Sequence, residues 1–388
     1  MSLQALIAPY SVDAFLAEYF EKAWLHVERN DPACFRSLLD DLDLERQIWR
    51  HSSQWGDVSL ARAGTHPADN PYADGLPTVD AVADAYRNGY TVVVNNYQQK
   101  SSRIAAFCRE VEKFFCFRCN ANLYLTGPRC KGLNAHYDDQ DVFVMQLDGV
   151  KIWRIYEGGP LLPMEDQDYD CPDPAALAFT ELALRPGDVL YMPRGHIHDA
   201  FTEDYRSLHL TLSVSVVRQA TFLRQLIHRL AEGNADLRRA MPFSRLRRLS
   251  DQDDDQDGIG LLRVFNQITA ADLQRAYSDF QDRLLHASVR LPDDQLQGDR
   301  QRQPVTVESK VKIADDQICL ISLLPDTCTL KFIGGQVPLS EDMRDVGRFV
   351  CEQRKFRVCE MECSVSDAVK VAFVQFLMDH GLLVFADE

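Results

Sequence analysis

The chain has 388 residues, 46 % of them hydrophobic, which allows two or three domains with real cores, and its formal net charge is −16. That acidity argues against binding nucleic acid through its phosphates, which needs a basic face, and favours a basic protein or peptide as partner. No apolar run approaches a membrane span, no basic segment leads into an apolar one after Met1, and the eleven cysteines form no close Cys/His cluster. A cytoplasmic chain with reduced thiols is expected, without a signal peptide, disulfide framework or zinc knuckle.

In chain order, Ser11 followed by apolar residues at helical spacing predicts a first helix over 11–25. Helices are predicted over 79–88 and 101–115, flanking a buried strand at Tyr90-Thr91-Val92-Val93-Val94. From about 118 to 217 the pattern becomes short strands divided by turns. Asn122 to Thr126, Asp141 to Gly149, Lys151 to Tyr156 and Ser207 to Val217 all alternate, and Leu184-Arg185-Pro186-Gly187-Asp188 turns into an apolar strand. This is the signature of a sandwich or barrel.

After Arg218 the period is helical again, with an apolar stripe at Phe222, Leu223, Leu226, Ile227 and Leu230 that suits a partner subunit or the chain's own core. An acidic run at 251–258 reads as a solvated loop, and a second helix pair is expected over 269–289. Residues 292–306 are rich in Pro, Gln and Asp, as linkers are. The tail from Val307 mixes strands at 318–321 and 329–332 with helices at 340–353 and 364–380. Its acidic residues, Glu341, Asp342, Asp345 and Glu352 among them, point to a structural or protein-contact role and away from DNA.

The chemistry centres on His136-Tyr137-Asp138, followed sixty residues after the aspartate by His198, with His196 two positions before it. If 133–138 is a strand, His136 and Asp138 project from one face, and a third ligand must come from a distant strand. Two imidazoles and one carboxylate leave adjacent metal positions open, which suits non-haem Fe(II) with a chelating co-substrate and O₂. An isolated His-x-Asp is common by chance, and His196 and His198 compete for the third place. His209, in the alternating strand Leu208 to Ser213, suits a core or supporting role as well as a functional one.

Three stretches carry a resemblance: His136-Tyr137-Asp138-Asp139, Gln146-Leu147-x-Gly149-x-Lys151-x-Trp153-Arg154, and Pro193-Arg194-Gly195-x-Ile197-His198. With them the chain resembles the JmjC-type 2-oxoglutarate oxygenases of the cupin-like, ribosomal-oxygenase group, most closely over 120–217. The resemblance implies a mixed α+β protein. A double-stranded β-helix (jelly-roll, cupin/JmjC) catalytic domain would occupy 1–217, a helical dimerisation region 218–291, a linker 292–306 and a winged-helix-like domain 307–388.

It also implies Fe(II) held by His136, Asp138 and His198, and 2-oxoglutarate held through its far carboxylate by Lys151 with support from Tyr124. Asn122 and Ser213 match polar positions beside the substrate in histidyl hydroxylases, although either could equally close a hydrogen bond between strands. Arg129, in the loop before His136, would meet the substrate, while Trp153 and Arg154 read as structural. The implied activity is hydroxylation of a histidine, or an arginine, of a ribosomal protein by a homodimer. Oxidation of another peptide or a small molecule, and a cupin-like binding protein without turnover, are the alternatives.

Overall fold

The computed structural model describes residues 2–29, 31–35, 38, 58–65, 78–165, 169, 173–240, 265–288 and 304–386. The acidic run at 251–258 and most of the linker expected at 292–306 lie outside them. Two compact units divide the chain, residues 1–216 and 217–388.

The first unit opens with α1 (Leu3–Ile7) and α2 (Val12–Glu18), each begun by a serine, Ser2 or Ser11, whose hydroxyl accepts a backbone N–H of the first turn. The helix predicted over 11–25 therefore stops early. Glu21 takes a left-handed backbone (φ 59°), and the chain leaves as strand β1 (Leu25–Val27). Next come β2 (Val58–Ala61), α3 (Val79–Arg87), β3 (Thr91–Val94) and α4 (Ser102–Phe115), close to the predicted bounds. The strands that follow are β4 (Arg118–Thr126), β5 (Asp141–Gly149), β6 (Lys151–Tyr156), β7 (Phe179–Leu184), β8 (Val189–Met192), β9 (His198–Phe201) and β10 (Ser207–Ser215).

They form a seven-stranded sheet, β1-β8-β5-β10-β4-β3-β2, and a three-stranded sheet, β7-β6-β9. All the pairings are antiparallel. The pleat divides the large sheet into two faces. Cys119, Ala121, Leu123 and Leu125 of β4, Phe143 and Met145 of β5, and Leu208, Leu210, Leu212 and Val214 of β10 enter one core with α1, α2 and α4. Val142 and Val144 turn the other way and meet Trp153, Ile155 and Leu184 of the small sheet. Both faces of β5 are thus covered, which explains its unbroken apolar run. The space between the two sheets is where polar residues at 124, 126, 209 and 211 are directed.

One Cys-x-x-Cys spacing, Cys116 to Cys119, falls on the α4-to-β4 turn. Cys116 ends α4 with a left-handed backbone (φ 54°) at the surface while Cys119 is buried in the core, so the two do not form a joint metal site.

In the second unit α5 (Gln219–Gly233) packs on α6 (Ala270–Ala287), which starts with a reciprocal Thr269–Asp272 capping box. Strands β11 (Lys310–Ile313), β12 (Cys319–Leu323), β13 (Cys328–Phe332), β14 (Gly335–Leu339), β15 (Lys355–Arg357) and β16 (Leu383–Phe385) make two three-stranded antiparallel sheets, β15-β11-β16 and β12-β13-β14. Helices α7 (Arg344–Glu352) and α8 (Asp367–Asp379) fall at the two predicted places and complete a separate core with Leu330, Val346, Val374 and Leu377. No helix among the described residues is long and apolar enough to cross a membrane.

Candidate active site

His136 and Asp138 do not lie on a strand. They sit in an irregular segment, where His136 makes one isolated bridge to His198 at the start of β9: His136 N donates to His198 O (3.0 Å) and His198 N to His136 O (2.8 Å). That reciprocal pair brings the two distant parts of the chain together, with the imidazole centroids 4.5 Å apart.

Each ring is then oriented by a carbonyl two residues before it. Nδ1 of His136 lies 2.8 Å from Asn134 O, and Nδ1 of His198 2.9 Å from His196 O. A carbonyl can only accept, so the proton of each neutral ring sits on Nδ1 and Nε2 keeps a free lone pair. Both Nε2 atoms are 3.8 Å from Asp138, one from each carboxylate oxygen. These separations are too long for hydrogen bonds. They do suit three donors converging on one cation, and one ligand atom from each residue lies within 4.8 Å of the others. Burial also lowers the pKa of His198, favouring the neutral form that binds metal. His196 is not part of this group: the donors that converge are those of His136, Asp138 and His198, while His196 turns its Nδ1 to Pro193 O (3.2 Å) in the turn before β9.

Beneath the site, the Pro193-Arg194-Gly195 turn is tied down by charge. The Asp141 carboxylate accepts from Arg194 N (3.1 Å), Arg194 Nη1 (2.9 Å) and Tyr191 OH (2.8 Å), and Arg194 Nη2 donates to Glu21 (2.5 Å). Gly195 N donates to Asp138 O (2.9 Å). Gly195 has φ 92°, and a Cβ there would lie 1.9 Å from Pro160 O, so glycine is required.

A cavity of about 130 Å³ runs from the triad between the sheets, lined among others by Tyr124, Thr126, Lys151, Trp153, His209 and Thr211. Lys151 is 3 % exposed and donates to Thr126 Oγ1 (2.8 Å), which shares a hydrogen bond with Thr91 Oγ1 (3.0 Å). No acidic side chain pairs with it among the described residues, and burial pulls its pKa down to about 7. A buried ammonium with no acidic partner among the described residues, in a small cavity beside three donors that could hold a metal ion, suits an anion. The Tyr124 phenol is pushed up to about 12, first by burial and then by the negative charge of Asp138, so it stays a neutral donor.

Asn122 and Ser213 lie on the same strand faces but do not line the cavity. Asn122 Oδ1 accepts from Asn96 N (3.0 Å), the connecting role open to it from sequence. Arg129 points into solvent and pairs with Asp204 (2.8 Å). Thr126, Thr91 and Trp153 are cavity residues that sequence reasoning passes over or reads as structural. The alternation of β4 and β6 is the signal available, since Thr126 shares a face with Tyr124, and Trp153 with Lys151.

Residues 93–222 match the JmjC domain family. The chain is 32 % identical over 216 residues to the bifunctional lysine-specific demethylase and histidyl-hydroxylase NO66 of Drosophila persimilis, covering 55 % of this chain and 31 % of that protein. It is 31 % identical over 255 residues to NO66 of Drosophila melanogaster, covering 62 % and 38 %. The chain thus spans about a third of the length of these relatives. Among solved structures, Escherichia coli ycfD shares the fold with TM-score 0.58 and 14 % identity, over 97 % of this chain and 98 % of that one. The Escherichia coli ribosomal oxygenase YcfD in complex with cobalt and 2-oxoglutarate gives TM-score 0.56 at 14 % identity, over 98 % and 99 %. The antiparallel two-sheet architecture is accordingly the cupin-like JmjC fold expected from the sequence motifs.

Proposed function

We propose that this JmjC chain is an Fe(II)- and 2-oxoglutarate-dependent protein hydroxylase acting on a ribosomal protein, with histidine as the target side chain. One observation carries the chemistry: the Nε2 atoms of His136 and His198 and the Asp138 carboxylate converge at a cavity that also holds the unpaired Lys151. The triad would hold the metal by three protein donors and leave positions for a chelating co-substrate. Lys151, with Tyr124 and Thr126, would take the far carboxylate through charge-assisted hydrogen bonds. Iron with 2-oxoglutarate and O₂ supplies the oxidation, in which 2-oxoglutarate becomes succinate and CO₂ and an oxygen enters a C–H bond. The protein's own part is to orient both acids and to exclude water, with Trp153, Val142, Val144 and Met192 as apolar walls.

The histidyl preference rests on the relatives' names. The net charge of −16 supports a cationic partner, a ribosomal-protein loop above all. The ten cysteines among the described residues are free, consistent with the reducing cytoplasm as its place of work. For the second unit, the reading is a homodimer through α5 and α6 followed by a winged-helix-like domain. Leu226 faces inward at 1 % exposed, so the contact face is Leu223 and Ile227 of α5 with Leu273 and Tyr277 of α6, all exposed. Replacing Leu223 and Ile227 by Glu should then give monomers in light scattering, and an unmodified protein that is already monomeric at micromolar concentration rejects the dimer.

The functional test is mass spectrometry of histidine-containing and arginine-containing ribosomal peptides incubated with the Fe(II) protein and 2-oxoglutarate. Gain of one oxygen on histidine supports the reading, gain on the arginine peptide alone moves the target to arginine, and loss of methyl groups from a methyl-lysine peptide alone replaces hydroxylation by demethylation.

A further inference from the structure

That reading leaves His209, a buried polar group of the cavity, without a task. His209 is 4 % exposed and lines the space between the sheets. Its ring stacks on Tyr124, with centroids 4.7 Å apart and 8° between the planes, and Trp153 meets it edge-on at 5.7 Å and 69°. The pairing of β10 with β5 shifts register between Leu208 and His209, so Leu208 faces Asp148 while His209 faces Gln146. The extra residue, Leu147, is on β5, while β10 stays in register with β4, and such bulges recur beside active sites.

Two aromatic neighbours fix the ring plane, yet Nδ1 is enclosed with no hydrogen-bond partner among the described residues. Burial, and then the charge of Lys151, keep the imidazole neutral, so it carries a single N–H. An enclosed N–H without an acceptor is rarer and costlier than an enclosed lone pair. The proton therefore belongs on Nε2, the ring nitrogen that is not sealed off. The ring thus presents a neutral donor to the cavity, on the strand directly paired with Tyr124.

We propose that His209 is a second anchor for the distal carboxylate of the co-substrate, its Nε2–H donating to the group whose charge Lys151 meets, and that the two together select 2-oxo acids bearing a second carboxylate. The assignment rests on the 2-oxoglutarate reading above. A neutral donor beside a lone cation suits a single carboxylate, because it adds a directed hydrogen bond without a second charge to repel Lys151. Short 2-oxo acids do not reach it.

Titration calorimetry of the full chain loaded with Mn(II), against 2-oxoglutarate and against pyruvate, tests this without turnover. His209→Phe, which keeps the stack on Tyr124, should weaken 2-oxoglutarate by about tenfold or more and leave pyruvate within about twofold. His209→Gln, whose amide can donate from a similar place, should recover most of the loss. If the Phe variant does not fold, as judged by circular dichroism, His209→Leu carries the same comparison. Equal losses for both acids, unchanged affinity for 2-oxoglutarate, or no recovery in a folded Gln variant overturns the proposal. An unmodified protein that binds neither acid overturns the functional reading itself, and this inference with it.

Discussion

The two ends of the cavity solve opposite problems. At the triad end His136 and Asp138 remain partly open to solvent, with side chains 35 % and 40 % exposed, and order comes from backbone hydrogen bonds that aim the rings. At the other end Lys151 is sealed, without an acidic partner among the described residues, and desolvation lowers its pKa. A metal site needs lone pairs in the right directions and tolerates water, because the ion itself supplies the charge. A carboxylate subsite needs its cation kept from water, since a solvated ammonium gives little for a surface ion pair.

The difference can be broken most severely at the open end. Asp138→Ala removes the one anionic donor, and metal content measured after anaerobic Fe(II) loading should fall to background together with 2-oxoglutarate consumption. Retained iron with lost turnover would instead make Asp138 a substrate-side residue. The support under that end is the next largest effect. Arg194→Met leaves the buried Asp141 without its cation, which should cost about 3–5 kcal/mol of stability in urea unfolding. A loss below about 1 kcal/mol would show that Tyr191 and the backbone N–H of Arg194 suffice for Asp141.

The sealed end predicts a weaker and more selective loss. Lys151→Ala should raise the dissociation constant for 2-oxoglutarate about ten- to a hundred-fold while metal content is unchanged, because one charge-assisted bond contributes roughly 1.5–3 kcal/mol. Unchanged affinity would move the anchor elsewhere in the cavity.

The finest test is pH. Burial lowers the free Lys151 to about 7, and a bound carboxylate favours the ammonium form, so the complex holds a proton that the free protein loses above that pH. Binding of 2-oxoglutarate should be strongest below about pH 7 and weaken above it by at most about tenfold per unit, as proton linkage requires. Lys151→Met should abolish the slope. A flat profile in the unmodified protein would mean that the ammonium stays charged, by a partner not seen among the described residues.

Much of this arrangement is legible in the chain itself. Triad residue types, the lysine fifteen residues beyond His136, the alternating strands from 118 to 217 and the change of period after Arg218 are all local patterns, set by the pleat, the helical turn and ligand chemistry. Other features are not local. A strand over 133–138 is the simplest way to point His136 and Asp138 together, but the chain uses one bridge to His198, a contact sixty-two residues away that no periodicity announces. The apolar stripe of α5 divides for a similar reason: spacing defines a face, while only tertiary packing decides that Leu226 is covered and Leu223 is not.

The sequence by itself determined which residues could bind a metal and an acid, because side-chain chemistry and strand alternation are properties of the chain. Only the tertiary structure decided which of His196 and His198 faces Asp138, that Lys151 is buried without a counter-charge among the described residues, and that His209 has a ring nitrogen without a partner among them. Orientation, desolvation and hydrogen-bond satisfaction depend on neighbours brought from distant strands, and they exist only once the two sheets have closed over the cavity.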